Sequence, residues 1–190
     1  MEEQMSRRLQ SAGPLILLLT LCGVFSAPVN AQEAGKDERE FVSALPSHVP
    51  LKVTVKNLEK VKDLRNEKWY GELEVEVKNI GTRPIYRFGL LLRLPEVKHD
   101  GTIYAHQFHY GRGELIDLSV KALPSDTPLL PGESSTFMVE ERFVKGWEGY
   151  SAERNIPPPK KVEFVLLSMS FGDGTGLVGS DGVFLPRRKN

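Results

Sequence analysis

The sequence of 190 residues predicts an all-β fold, an antiparallel β-sandwich of about seven to nine strands with one short helix. Three observations lead to this prediction. Several segments alternate apolar and polar residues with the period of two that half-buried strands require. Gly, Pro, Asn and Asp form turn signals between those segments. No helices alternate with the strands in the order that is typical of a parallel sheet.

Alternation places the first strands between residues 51 and 94. Residues 51–56 and, more strongly, residues 72–78 have apolar side chains at every second position. Turn residues occupy 79–84, and the following run 86–94 again separates an apolar face from a charged one. We therefore expect two adjacent antiparallel strands on either side of that turn.

The middle of the chain predicts a hairpin followed by a further strand. Residues 103–110 and 114–118 flank residues 111–113, a short glycine-bearing connection of the kind that closes a hairpin with a bulge. A loop rich in proline comes next. A strand is expected from Ser134, with Phe137 pointing inward.

The last third of the chain predicts one helix and two strands. Residues 145–155 favour a short helix, which the three prolines at 157–159 end. In residues 161–171 the apolar set switches from even to odd positions, which indicates either burial on both faces or a bulge. A glycine-rich stretch follows, with a short strand expected around 183–185.

Residues 1–31 are predicted to be a cleavable signal peptide. An apolar run at 15–25 follows Arg7 and Arg8, and the small residue Ala31 suits the cleavage site of a signal peptidase. The run has about half of the roughly 20 residues that a membrane-spanning helix needs, so no membrane span is expected in the mature chain. The mature protein is therefore expected to be secreted or periplasmic.

Two alternatives at the N-terminus remain open, and three segments are expected after the leader. Translation from Met5 would remove two acidic residues from the leader, and Cys22 would allow a lipid anchor, although Leu21 precedes it where a small residue is expected. After the leader we expect a flexible linker at 32–44, the sandwich domain at 45–186 and a basic tail at 187–190.

Composition and motifs argue against several function classes. Lys plus Arg and Asp plus Glu both number 25, so there is none of the basic surplus that binding to nucleic acid requires. Cys22 is the only cysteine, so the mature chain has no disulfide or thiolate chemistry. The sequence has no Gly-x-Ser-x-Gly, His-Glu-x-x-His or phosphate-loop motif. We therefore expect no enzyme and no cofactor.

Two turn motifs resemble those of a known class of module. The Asn79-x-Gly81 turn between two strands and the Pro131-Gly132-Glu133-Ser134 start of a later strand resemble bacterial immunoglobulin-like modules. More narrowly, the chain resembles uncharacterised exported bacterial proteins of similar size with an immunoglobulin-like β-sandwich. The resemblance covers roughly residues 45–171 and implies a fold rather than an activity.

An aromatic stripe is the candidate ligand-binding site. Alternation places four side chains on one face of a single strand: Tyr104, His106, Phe108 and Tyr110. Such a stripe is typical of a flat platform for sugar rings, and it is equally typical of the inner face of a sheet, which is the favoured interpretation. Trp69, Tyr70, Trp147 and Tyr150 are open to the same two interpretations.

Histidines and a glycine-rich loop give two metal hypotheses. His99, His106 and His109 suggest zinc or copper, but positions 106 and 109 project to opposite faces of a strand, which argues against a shared ion. The Phe-Gly-Asp-Gly run at 171–174 resembles the signature of polycystic-kidney-disease-type repeats. A calcium site at Asp173 is a separate hypothesis for the same loop. A glycine-rich turn is the favoured interpretation, because only Asp181 adds a second nearby carboxylate.

The expected function is that of an exported, non-enzymatic binding or interaction module. Its expected partner is a protein or a cell-envelope component, and a polysaccharide is an open possibility. Two alternatives stand beside it: a carbohydrate-binding module that uses the aromatic strand face, and a periplasmic metal-handling protein.

Overall fold

The computed structural model describes residues 37–186. The predicted signal peptide at 1–31, the first residues of the predicted linker and the basic tail at 187–190 lie outside this range. The described residues form these elements: β1 Glu40–Ser43, β2 Leu51–Val55, α1 Leu58–Val61, α2 Trp69–Glu72, β3 Glu74–Asn79, β4 Arg87–His99, β5 Thr102–Tyr110, a 3₁₀ helix Gly113–Ile116, β6 Ser134–Met138, α3 Glu141–Glu153, β7 Lys161–Ser170, β8 Gly176–Val178 and β9 Val183–Leu185.

The strands form two sheets, which confirms the predicted all-β sandwich. The larger sheet has the order β5-β4-β7-β8-β9, with neighbours antiparallel, and β1 joins it as a parallel partner of β7. The smaller sheet has the order β2-β3-β6 and is antiparallel throughout. Three α-helices accompany the strands where the sequence predicted one.

Alternating side chains from both sheets form the core. Val75 and Val77 of β3 have no exposed surface, and neither do Leu90 and Leu92 of β4. Full burial of such a side chain stabilises the fold by about 1.5–3 kcal/mol relative to leaving it in water. The period of two in the sequence therefore marks the inner faces correctly.

Strand β7 contains the bulge that its switching apolar pattern predicted. Leu166 is opposite Leu90 of β4 and Ser168 is opposite Gly89, so Leu167 is the extra residue. Before the bulge Leu166 points into the core, and after it Met169 does. The other face is also covered, because Val165 keeps only 5% of its surface exposed.

The hairpin that contains β5 differs from the predicted one. Strand β5 pairs with β4, and the expected partner region 114–118 lies partly in the 3₁₀ helix. The connection is Asp100-Gly101, with φ angles of 47° and 78°. Two consecutive positive φ values are typical of the tight turns that join antiparallel strands, and Asp-Gly is a favoured pair for them.

Part of the predicted flexible linker at 32–44 is ordered, so that part of the prediction is wrong. Glu40–Ser43 is strand β1, and it pairs in parallel with Lys161–Phe164 of β7. The charged sequence of this segment has little apolar surface, but backbone hydrogen bonds to the edge of β7 give it a place in the sheet. The helix predicted at 145–155 is α3, which begins four residues earlier.

A long connection at residues 111–133 joins β5 to β6 and is held by an internal ion pair. Arg112 Nε donates to Asp126 Oδ1 at 2.9 Å, and Arg112 Nη2 donates to Asp126 Oδ2 at 3.1 Å. The Asp126 carboxylate also accepts from the backbone N–H of Leu123 at 2.8 Å.

Over residues 37–186, no helix combines the length and apolarity that crossing a bilayer requires.

Candidate functional site

The predicted aromatic stripe does share one face of β5, and that face points inward. His106 and Phe108 keep 8% and 3% of their surface exposed, while Tyr104 and Tyr110 are half-buried. Tyr110 stacks on Phe88 of β4 with ring centroids 5.6 Å apart. Phe137 of β6 contacts Phe108 at 6.0 Å, so the smaller sheet covers this end of the stripe.

Helix α3 covers the other end of the stripe. Phe143, Trp147 and Tyr150 are spaced by four and three residues, which places them on one face of the helix. The Trp147 ring lies 4.9 Å from Tyr104, and the Phe143 ring lies 4.8 Å from His106. The four stripe residues are therefore core and core-rim side chains. The structure shows no open platform for sugar rings on this face. The prediction that Tyr104, His106, Phe108 and Tyr110 form a ligand-binding surface is therefore wrong.

Burial shifts the titration of two groups under α3. The Tyr70 hydroxyl lies 3.4 Å from the Tyr104 hydroxyl, and burial raises the pKa of Tyr70 well above its usual range. Burial lowers the pKa of His106, and Glu140 opposes that shift through its charge. Burial thus favours the neutral forms of Tyr70 and His106.

The three candidate histidine ligands do not converge. His106 is buried and His109 is exposed, as opposite faces of a strand require. His99 lies beside Asp100, with Nε2 3.3 Å from the carboxylate. No group of three or more His, Cys, Asp or Glu side chains within the described range 37–186 could hold a metal ion.

The Phe-Gly-Asp-Gly loop is a hydrogen-bonded turn. The Asp173 carboxylate accepts from the backbone N–H of Thr175 at 3.0 Å and from its hydroxyl at 2.6 Å. Arg83 Nη2 donates to the same carboxylate at 2.7 Å. These contacts lower the pKa of Asp173, Thr175 having the largest effect. The carboxylate is therefore engaged within the protein, as the turn interpretation expects.

Strand β5 has an unpaired edge. In the described part of the chain it pairs with β4 alone. Its nine residues include no Lys, Arg, Asp, Glu or Pro. Ala105, Gln107 and His109 are exposed on the face opposite the aromatic stripe. This edge is a candidate binding surface that the sequence prediction did not identify, because the uncharged run 102–110 does not by itself mark an edge strand.

A cavity of about 530 Å³ is the second candidate. It is lined by Arg39, by Trp69 and Trp147, and by residues of the α1–α2 connection and of the chain that follows α3. The two tryptophans are among the aromatic candidates that the sequence offers, whereas Arg39 lies in the segment predicted to be flexible and carries no local signal of a site.

Comparisons with known proteins add no assignment to these two features. Protein-family models, curated proteins and solved structures all give no match to the chain. The edge of β5 and the cavity are therefore the two features of the described residues whose chemistry bears on function.

Proposed function

We propose that the chain is an exported, non-enzymatic β-sandwich that binds an extended segment of another protein along the free edge of β5. The edge itself is the observation that supports this proposal. Alternate residues along its nine positions direct their backbone N–H and C=O groups away from β4, and the strand has none of the charges or prolines that natural proteins place on edge strands to prevent such pairing. An added strand would hydrogen-bond to the outward backbone groups of β5.

The other edge strands of the described residues are poorer candidates. Strand β2 has five residues, and the second of them is the exposed Lys52. Strand β6 also has five residues. Strand β9 has three and is followed by Pro186, which has no backbone N–H to donate. Strand β5 is the longest edge and has none of these limits.

The surroundings of β5 favour an uncharged, partly apolar partner segment. Phe143 of α3 packs on His106 and still keeps 39% of its surface exposed, which offers apolar contact beside the inner face. On the outer face Ala105 and Gln107 are small or neutral. The register with β4 and the packed stripe hold β5 in place before binding, which lowers the entropic cost of association.

The sugar-platform and metal hypotheses receive no comparable support. A sugar platform needs exposed rings, and the rings of His106 and Phe108 are buried under α3 and β6. A histidine metal site needs side chains that converge, and His106 and His109 point to opposite faces.

Selection of displayed nonapeptides against the purified protein tests the proposal, with hydrogen exchange as the readout. The selected peptides are expected to slow amide exchange in residues 102–110 when bound, because the outward N–H groups of β5 gain partners. Protection confined to other segments, or failure of the selection to yield any binder, would contradict the proposal.

A matched pair of lysine substitutions distinguishes an effect at the β5 edge from an effect of the added net charge. Gln107→Lys places a cation on β5 and is expected to weaken peptide binding by about tenfold or more. Thr54→Lys makes the same kind of change at an exposed position of edge strand β2 and is expected to leave binding unchanged. Equal effects of the two substitutions would exclude the β5 edge as the binding surface.

Export is tested separately, by sequencing the N-terminus of the mature protein from an expressing bacterium. The expected first residue is Gln32, one position after the predicted cleavage site. Recovery of the intact precursor from the cytosol would refute this part of the proposal.

A further inference from the structure

A cavity distinct from the β5 edge has the size of a small-molecule site. Its volume is about 530 Å³, and such sites in proteins usually measure about 300–1,000 Å³. Trp69 and Trp147 line it, with ring centroids 6.4 Å apart and ring planes at 78°. Both indoles are buried, with 2% and 5% of their surface exposed. Packing therefore holds both rings in place, and each contributes only a small part of its surface to the cavity wall.

Arg39 gives the same cavity a buried positive charge. The side chain keeps 2% of its surface exposed, and its guanidinium carbon lies 4.1 Å above the Trp69 ring. Its Nε donates to the carbonyl oxygen of Pro159 at 3.0 Å, and its Nη1 donates to that of Val61. Its Nη2 is buried and has no hydrogen-bond partner among the described residues.

Within residues 37–186, Arg39 has no carboxylate at ion-pair distance. Asp63 acts on it only through space, because the Asp63 carboxylate bonds to Arg65 at 3.0 Å. Burial lowers the pKa of Arg39 to about 10, so the guanidinium remains protonated at neutral pH. A buried charge without a counter-ion is costly, and an anion in the cavity would remove that cost.

The charged residues of the cavity wall, Arg39 included, carry no net charge, which disfavours an anion with more than one negative charge. Lys68 adds a second cation, but Glu67 and Glu148 also line the cavity and would repel a multiply charged group such as a phosphate. A planar carboxylate suits the guanidinium, and an apolar body attached to it suits the tryptophans.

We propose that this cavity binds a small monocarboxylate with an apolar or aromatic body, with Arg39 as counter-ion and Trp69 and Trp147 in the apolar part of the wall. The site does not depend on the β5 edge, so either proposal can fail alone.

Intrinsic fluorescence tests this site directly, because Trp69 and Trp147 are the only two tryptophans in the sequence. The full chain is titrated with acetate, phenylacetate and cyclohexylacetate, and with the corresponding neutral amides. Phenylacetate and cyclohexylacetate are expected to change the emission saturably and to bind at least about tenfold more tightly than their amides. Acetate, which lacks the apolar body, is expected to bind more weakly than either.

Two variants connect the signal to the cavity. Arg39→Met removes the charge and is expected to abolish the preference for carboxylate over amide. Because Arg39 also bonds to two backbone carbonyls, a second variant, Ser151→Phe, fills the cavity and leaves Arg39 intact; it is expected to weaken phenylacetate binding by about tenfold. Gly146→Phe adds the same ring to an open position of α3 outside the cavity and is the matched control.

Three results would overturn the proposal. The first is that no carboxylate changes the emission saturably. The second is that amides and carboxylates bind equally well. The third is that Ser151→Phe and Gly146→Phe have the same effect on binding.

Discussion

Helix α3 contains two glycines that can be replaced to stabilise the protein. Gly146 and Gly149 lie in the interior of the helix on its exposed side, and an added methyl group at either position would meet no atom within 4 Å. Glycine in a helix interior costs about 0.8–1.0 kcal/mol relative to alanine. The double variant Gly146→Ala/Gly149→Ala should therefore raise the free energy of unfolding by about 2 kcal/mol.

Thermal and urea unfolding measure this change. For a protein of this size about 1 kcal/mol shifts Tm by roughly 2–4 °C, so the double variant should melt about 4–8 °C higher. The urea midpoint should rise while the slope of the transition stays constant, because the buried surface is unchanged. Peptide binding at β5 should be unaffected.

An unchanged or lower Tm would refute the reasoning. It would mean that residues 141–153 are not a stable helix in solution, or that the side of α3 bearing the glycines is covered rather than open. Single variants locate the failure, since each substitution should give about half of the total.

Three further predictions concern the core, the long connection and a close backbone approach. Burial lowers the pKa of His106 below its usual value of about 6.5, so the free energy of unfolding should fall as the pH drops below that value, and His106→Met should reduce this pH dependence in urea titrations. Hydrogen bonds from Arg112 lower the pKa of Asp126, so Asp126→Asn should lower Tm at pH 7, with a difference from wild type that shrinks as the pH falls below about 4. Gly111 has φ 79°, and a substituent there would clash with the carbonyl oxygen of Tyr86. Gly111→Ala should therefore lower the free energy of unfolding by more than about 3 kcal/mol in denaturant titrations, and a smaller loss would contradict this geometry.

Local periodicity explains the parts of the fold that the sequence predicted. Val75 and Val77 alternate with charged residues in β3, and their burial follows from the geometry of any strand. The switch of apolar positions around Leu167 predicted the bulge in β7, because a bulge is the local event that exchanges the two faces.

Long-range pairing explains what the sequence did not predict. Strand β1 has no apolar pattern of its own and exists because β7 offers it an edge. The hairpin of β5 was assigned to the wrong neighbour because two glycine-bearing segments, 100–101 and 111–113, both suit a turn, and only sheet order decides between them.

The two candidate sites also depend on long-range contacts, so the sequence did not predict them. Which strand ends a sheet depends on the order of strands in space, so the free edge of β5 could not be derived from its own residues. Arg39 lines a cavity with Trp147 and the prolines after α3, and no local pattern connects it to them.

The contact between β1 and β7 also bears on when the domain can fold. Arg39 and Pro159 are 120 residues apart in the chain, and Arg39 donates a hydrogen bond to the Pro159 carbonyl just before the two strands pair. A ribosome must therefore complete nearly the whole polypeptide before its first strand finds a partner. The larger sheet can therefore close only late in synthesis, whereas the β4–β5 hairpin can form as soon as its own residues have left the ribosome.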